Sequence, residues 1–132
     1  MVLVDTSVWI RFLANRTPFA AELDRLLGLD EVMGHELVYG ELLIGDRGGR
    51  RELLAAYEQI HQVAMVRHRD VVAFVRDRDL HGRGVGWIDV HLLASSIVGR
   101  LQLWTAVPRF SAVADELGVA YQVTASKPGE LR

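Results

Sequence analysis

The chain has 132 residues, close to the ~150 expected of one domain. Half are hydrophobic and 24% are charged, which excludes a disordered chain and permits a packed core. There is no cysteine, so a disulfide framework, a thiolate zinc site and a cysteine nucleophile are all excluded. The charges nearly cancel, 15 basic against 17 acidic, which excludes nucleic-acid binding by bulk charge alone.

Val2 to Val4 is a short apolar run ended by Asp5, as expected of a strand buried on both faces of a parallel sheet. Val8 to Leu13 reads as a helix. Thr17-Pro18 reads as the start of another, with Thr17 as N-cap and Pro18 in the first turn, running to about Leu27. Glu31 to Gly34 suggests a second short strand, and His35 to Ile44 a helix ended by Gly45. Gly48-Gly49 breaks the chain before a helix over Arg50 to His61. Val63 to Val66 is a strand or an extended link, and Arg69 to about Leu80 is helical.

Gly82, Gly84 and Gly86 then form a loop ahead of a helix over Trp87 to Val98. Leu101 to Thr105 is a strand, Pro108 to Leu117 a helix, and Val119 to Val123 a last strand. The remainder, Thr124 to Arg132, is a polar tail. Strands alternate with helices, so the expected class is α/β, with a central parallel sheet of four to five short strands between helices. No apolar stretch approaches the ~20 residues of a membrane span, and the N-terminus has neither a basic region nor a cleavage site. A cytoplasmic protein is expected.

Catalytic and binding groups in such sheets lie beyond the carboxyl ends of the strands. Asp5 falls there, with Thr6 and Ser7 after it. It has two readings, a helix cap and a metal-binding carboxylate, and both can hold if Thr6 or Ser7 does the capping. Glu41 has Leu37, Val38, Ile44 and Gly45 as its helical neighbours. It is therefore expected within an apolar, core-facing stripe, where a carboxylate is costly unless paired or bound to metal. Asp89 follows the glycine loop, either as a first-turn acid on the helix dipole or as a third carboxylate of the same site. Glu36 suits the dipole alone.

Asp5-Thr6-Ser7 after Val2-Leu3-Val4, Gly40-Glu41-Leu42-Leu43, Gly86-Trp87-Ile88-Asp89 and Leu103-Trp104-Thr105 occur in this order along nearly the whole chain. Together they resemble the PIN-domain ribonucleases, in particular the VapC toxins of toxin–antitoxin pairs. The resemblance implies a PIN domain over residues 1–123, of three-layer α/β/α form. It implies that Asp5, Glu41 and Asp89 are catalytic and bind Mg²⁺ or Mn²⁺, with Thr6, Ser7 and Thr105 lining the site. It further implies hydrolysis of RNA, tRNA or rRNA, a VapB-like antitoxin and a homodimer. The family often places a fourth acid two residues after the Thr of the late strand. Val107 stands there, so one metal is expected in the free protein, and Asp115 is not assumed to replace the missing acid.

Arg83 in the glycine loop is a candidate contact to RNA or to a partner. Arg47, Arg50 and Arg51 read as a solvated helix start, and His35, His61 and His68 as surface or boundary residues. His91 points about 160° away from Asp89 around the helix, so it is expected to be structural or at an interface, not catalytic. Trp9, Trp87 and Trp104 are expected in the core or an interface, with base stacking by Trp87 ranked lower. The other reading is a PIN-fold binding module of weak activity. A haloacid-dehalogenase phosphatase would need an acid where Ser7 stands, and a receiver domain an acidic pair beside the first strand.

Overall fold

A computed structural model describes residues 1–123. The polar tail expected from Thr124 onward lies outside the described residues. β1 (Val2–Val4) is followed by α1 (Thr6–Leu13), α2 (Phe19–Gly28), β2 (Val32–Met33) and α3 (Glu36–Ile44). Then come α4 (Arg51–Tyr57), α5 (His68–Asp77), α6 (Trp87–Gly99), β3 (Gln102–Trp104) and α7 (Pro108–Glu116). The strands form one parallel sheet in the order β2-β1-β3, with Leu3 opposite Met33 on one side and Leu103 on the other.

Among the described residues the sheet has three strands, fewer than the four to five expected. The two missing strands survive as single parallel bridges, Gly34 with Gln62 and Leu103 with Ala120. Strand length explains this. Alternate residues of a strand bond to opposite neighbours. Gln102 and Trp104 bond toward β1, through Gln102 N–H to Met1 C=O and Asp5 N–H to Trp104 C=O. Only Leu103 faces outward, and its two backbone groups bond Val119 and Tyr121. Gly34 plays the same part beyond β2, with His61 and Val63.

The central strand is wholly buried, as its apolar run requires. α6 is buried on every side from Val90 to Ser96, because it packs between α5 and β3. A helix so enclosed has no water for its serines. Ser96 therefore donates to the Leu92 carbonyl 2.8 Å away, and Ser95 meets His35. Trp9 packs edge-on against Phe12 and Tyr57 in the core.

The entry to α2 differs from expectation. The helix begins at Phe19, Pro18 takes the cap position, and the Thr17–Pro18 peptide is cis. α4 is also shorter than expected, ending at Tyr57. No described helix is long and apolar enough to cross a membrane.

Candidate functional site

β1 is central, with its partners on either side, so its carboxyl end is the point where the chain's connections diverge and a cleft can open. Asp5 sits there, 5% exposed, with its backbone N–H fixed to Trp104. Ser7 Oγ and Thr105 Oγ1 both donate to its Oδ2, at 2.6 and 2.8 Å. The direction of these protons is fixed by the loop after β3. The Ala106 N–H donates to Ser7 Oγ at 3.0 Å, and the Val107 N–H to Thr105 Oγ1 at 3.1 Å. Each hydroxyl thus accepts from backbone and has its single proton left for Asp5. The Ser7–Thr105 oxygen contact of 3.2 Å is a consequence of this shared acceptor.

Glu41 reaches the site from α3. Thr6 Oγ1, at the start of α1, donates to its Oε1 at 2.6 Å. The apolar stripe expected around Glu41 is not what surrounds it. Val38 is buried, but Ile44 is 89% exposed and Gly45 lies at the surface. Glu41 is half-buried at the edge of the buried face, and the apolar excess of α3 faces solvent through Leu43 and Ile44.

Asp89 lies in the first turn of α6, where its Oδ2 accepts the Gly86 N–H at 2.8 Å. This caps the helix, as the dipole reading expects. Burial raises the Asp89 carboxyl above its ordinary pKa; the Gly86 bond opposes the shift, and the charge of Asp5 adds to it. That influence places Asp89 within the electrostatic field of Asp5. Each of the three acids has one oxygen tied by these bonds, and its second oxygen takes no part in them. Among the described residues, however, no three His, Cys, Asp or Glu side chains are drawn together as a ready-made cation site.

The other candidates fall elsewhere. Arg83 pairs with Glu116 on α7 at 2.8 Å. Val107 is the exposed residue ahead of α7, and Asp115 is exposed on that helix. Arg50 is not simply solvated, because its guanidinium bonds the Leu42 carbonyl near the end of α3.

His35 overturns its surface assignment, since it is fully buried. Its Nδ1 accepts the Leu37 N–H at 3.1 Å and caps α3, while its Nε2 lies 3.1 Å from Ser95 Oγ on α6. Tyr57 Oη accepts the His35 N–H at 2.8 Å. One side chain therefore ties together the helices that carry Glu41 and Asp89. Histidine is not a favoured cap, and Ser95 is 60 residues away, so the sequence carries no signal for it. Trp9 and Trp104 are buried as expected, but Trp87 is 43% exposed.

A family model described as PIN domain matches residues 2–116. The chain is 42% identical over 121 residues to Ribonuclease VapC32 of Mycobacterium tuberculosis, in both strain CDC 1551 / Oshkosh and strain ATCC 25618 / H37Rv. Each match spans 91% of this chain and 95% of the relative. The crystal structure of PAE2754 from Pyrobaculum aerophilum superposes with a TM-score of 0.55 at 16% identity, over 84% of this chain and 82% of that one. At that identity the last comparison speaks to fold alone. With the family model and the VapC32 relatives each spanning most of its length, this chain belongs to the PIN domain family, in its VapC branch.

Proposed function

We propose that this chain is the ribonuclease toxin of a toxin–antitoxin pair. It hydrolyses RNA phosphodiester bonds in the cytoplasm, with tRNA or rRNA as target, and so blocks translation or growth. The observation that carries this reading is the identity to Ribonuclease VapC32 along nearly the full length of both chains.

Asp5, Glu41 and Asp89 are the residues proposed to hold Mg²⁺ or Mn²⁺. The donor set suits a hard cation, since all three are carboxylates with one oxygen tethered by the protein and the other available. When bound, such an ion supplies an activated water and stabilises charge developing at phosphorus. The chain's own groups prepare for this. Ser7 and Thr105 hold Asp5 in place by hydrogen bonds, and Thr6 does the same for Glu41. Asp89, whose carboxyl is raised by burial and by Asp5, is stabilised in its charged form by a neighbouring positive charge. Val107 adds no carboxylate, so one metal is proposed in the free protein.

A VapB-like antitoxin and a homodimer complete the proposal. Leu43 and Ile44, exposed by 52% and 89% on the helix that carries Glu41, give a partner an apolar surface next to the site.

The test is cleavage of total cellular RNA by purified protein with Mg²⁺, Mn²⁺ or EDTA, beside Asp5→Asn and Glu41→Gln. Discrete products that require metal and vanish in both variants are expected. A folded, partner-free protein that yields none would instead be a binding module.

A further inference from the structure

Trp87 is the one tryptophan on the surface. It exposes 43% of its area, whereas Trp9 and Trp104 expose 2% and 3%. Its position is well defined. It opens α6 directly after Gly86, and the His91 ring meets it edge-on, 5.2 Å away at 86°. His91 is itself buried, with an Nδ1 that has no hydrogen-bond partner among the described residues. The exposed His68 ring flanks Trp87 on another side, 5.2 Å away and tilted by 52°. His68 begins α5 between the exposed Arg67 and Arg69, of which Arg67 leans on Asp70 at 3.6 Å.

Resting on the ribonuclease reading above, we propose that Trp87 and His68 form a stacking subsite for an unpaired nucleobase of the RNA substrate. Asp89 follows Trp87 by two residues, about 3 Å along the helix axis and on the opposite side of it. A strand that crosses the open end of α6 therefore meets the acidic site on one side and the aromatic pair on the other. Stacking on a fixed aromatic ring binds any base through its face, and neighbouring guanidinium groups hold the backbone. Arg67 and Arg69 stand where such a backbone would pass. The same charges disfavour a second copy of this chain as the occupant. A two-fold axis passing through this flank would bring Arg67 and Arg69 near their own images.

The test measures binding apart from cleavage. In a Glu41→Gln background, which stops turnover, a short labelled single-stranded oligouridylate is titrated by anisotropy and by tryptophan fluorescence. The probe quenches emission in the parent, and the quenching disappears in Trp87→Ala. Affinity falls about tenfold in Trp87→Ala and is mostly retained in Trp87→Phe, which also shows that the helix start tolerates substitution. An abasic ribose–phosphate probe of the same length binds the parent and Trp87→Ala alike. Equal affinity of parent and Trp87→Ala for the oligouridylate overturns the proposal, as does an equal loss on the abasic probe. A change of oligomeric state in Trp87→Ala by light scattering assigns the face to a second copy and also overturns it. Cleavage by the otherwise wild-type Trp87→Ala separates the two readings. Metal-dependent turnover with KM unchanged leaves the nuclease standing and removes the subsite. A wild-type protein that neither binds nor cleaves RNA removes both.

Discussion

Two hydroxyls on a single carboxylate oxygen leave Asp5 little freedom to rotate. Their protons point at Asp5 because the Ala106 and Val107 N–H groups occupy the hydroxyl lone pairs. Thr105→Val removes one donor to Asp5 and strands the Val107 N–H. Such supporting groups typically change metal affinity or activity 10- to 100-fold, and a loss of metal-dependent cleavage of about tenfold is expected in initial rates. Ser7→Ala should act in the same direction. His35 makes a different prediction. Burial, with a smaller contribution from His91, lowers its pKa to about 4. The folded chain therefore keeps His35 neutral while the unfolded chain takes up a proton below about 6.5. This contribution to stability is complete above pH 6.5 and is lost as pH falls toward 4, amounting to about 3 kcal/mol. His35→Asn retains an acceptor for the Leu37 N–H but sheds this titration. Urea unfolding across pH 4 to 7 should give a shallower pH dependence for the variant than for the parent.

Among the elements, the junction of β2 and α3 leaves no room for a side chain at Gly34. A Cβ on Gly34 would lie 2.4 Å from Gln62 Nε2. That amide cannot simply retreat, because it donates to the Tyr57 and Ile60 carbonyls at 3.1 and 3.2 Å. Gly34→Ala should destabilise the fold by about 1 kcal/mol, and much less in a Gln62→Ala background, a non-additivity that denaturant midpoints will show. The same junction shows what a sequence can and cannot disclose. Asp5 is legible because an apolar strand run stops at an acid, and strand ends are where α/β sites form. Asp89 is legible from the glycine loop ahead of it. Glu41 is less legible, because α3 is apolar nearly all round and its pattern gives no direction. The hydroxyl network about Asp5 joins Ser7 to Thr105, 98 residues apart, and pairings of that range leave no local pattern. The burial of His35 is hidden from the sequence for the same reason. Its partner Ser95 lies on a helix whose full burial depends on packing, which periodicity does not encode.

For the molecule as a whole, stability rests on the layer where α6 and the sheet meet. Leu3, Leu92 and Leu93 are fully buried there. Leu3→Ala should cost about 3 kcal/mol, read as a lower denaturant midpoint with an unchanged slope. A second tie lies far from the acids. Tyr121 Oη donates to Glu22, which Arg25 also grips through two bonds of 2.8 and 3.0 Å, so α2 is fastened to the segment after α7. The Arg25 bonds lower the Glu22 carboxyl below its usual range.

The single-residue bridges at either side of the sheet have a consequence for assembly. A bare strand edge is a template on which another chain can polymerise. Here the outward backbone groups of Gly34 and Leu103 are already satisfied by His61 and Val63, and by Val119 and Tyr121. At these two positions strand addition has no free rung to begin from. Edge-to-edge growth is thereby discouraged at Gly34 and Leu103 with a single bridge each.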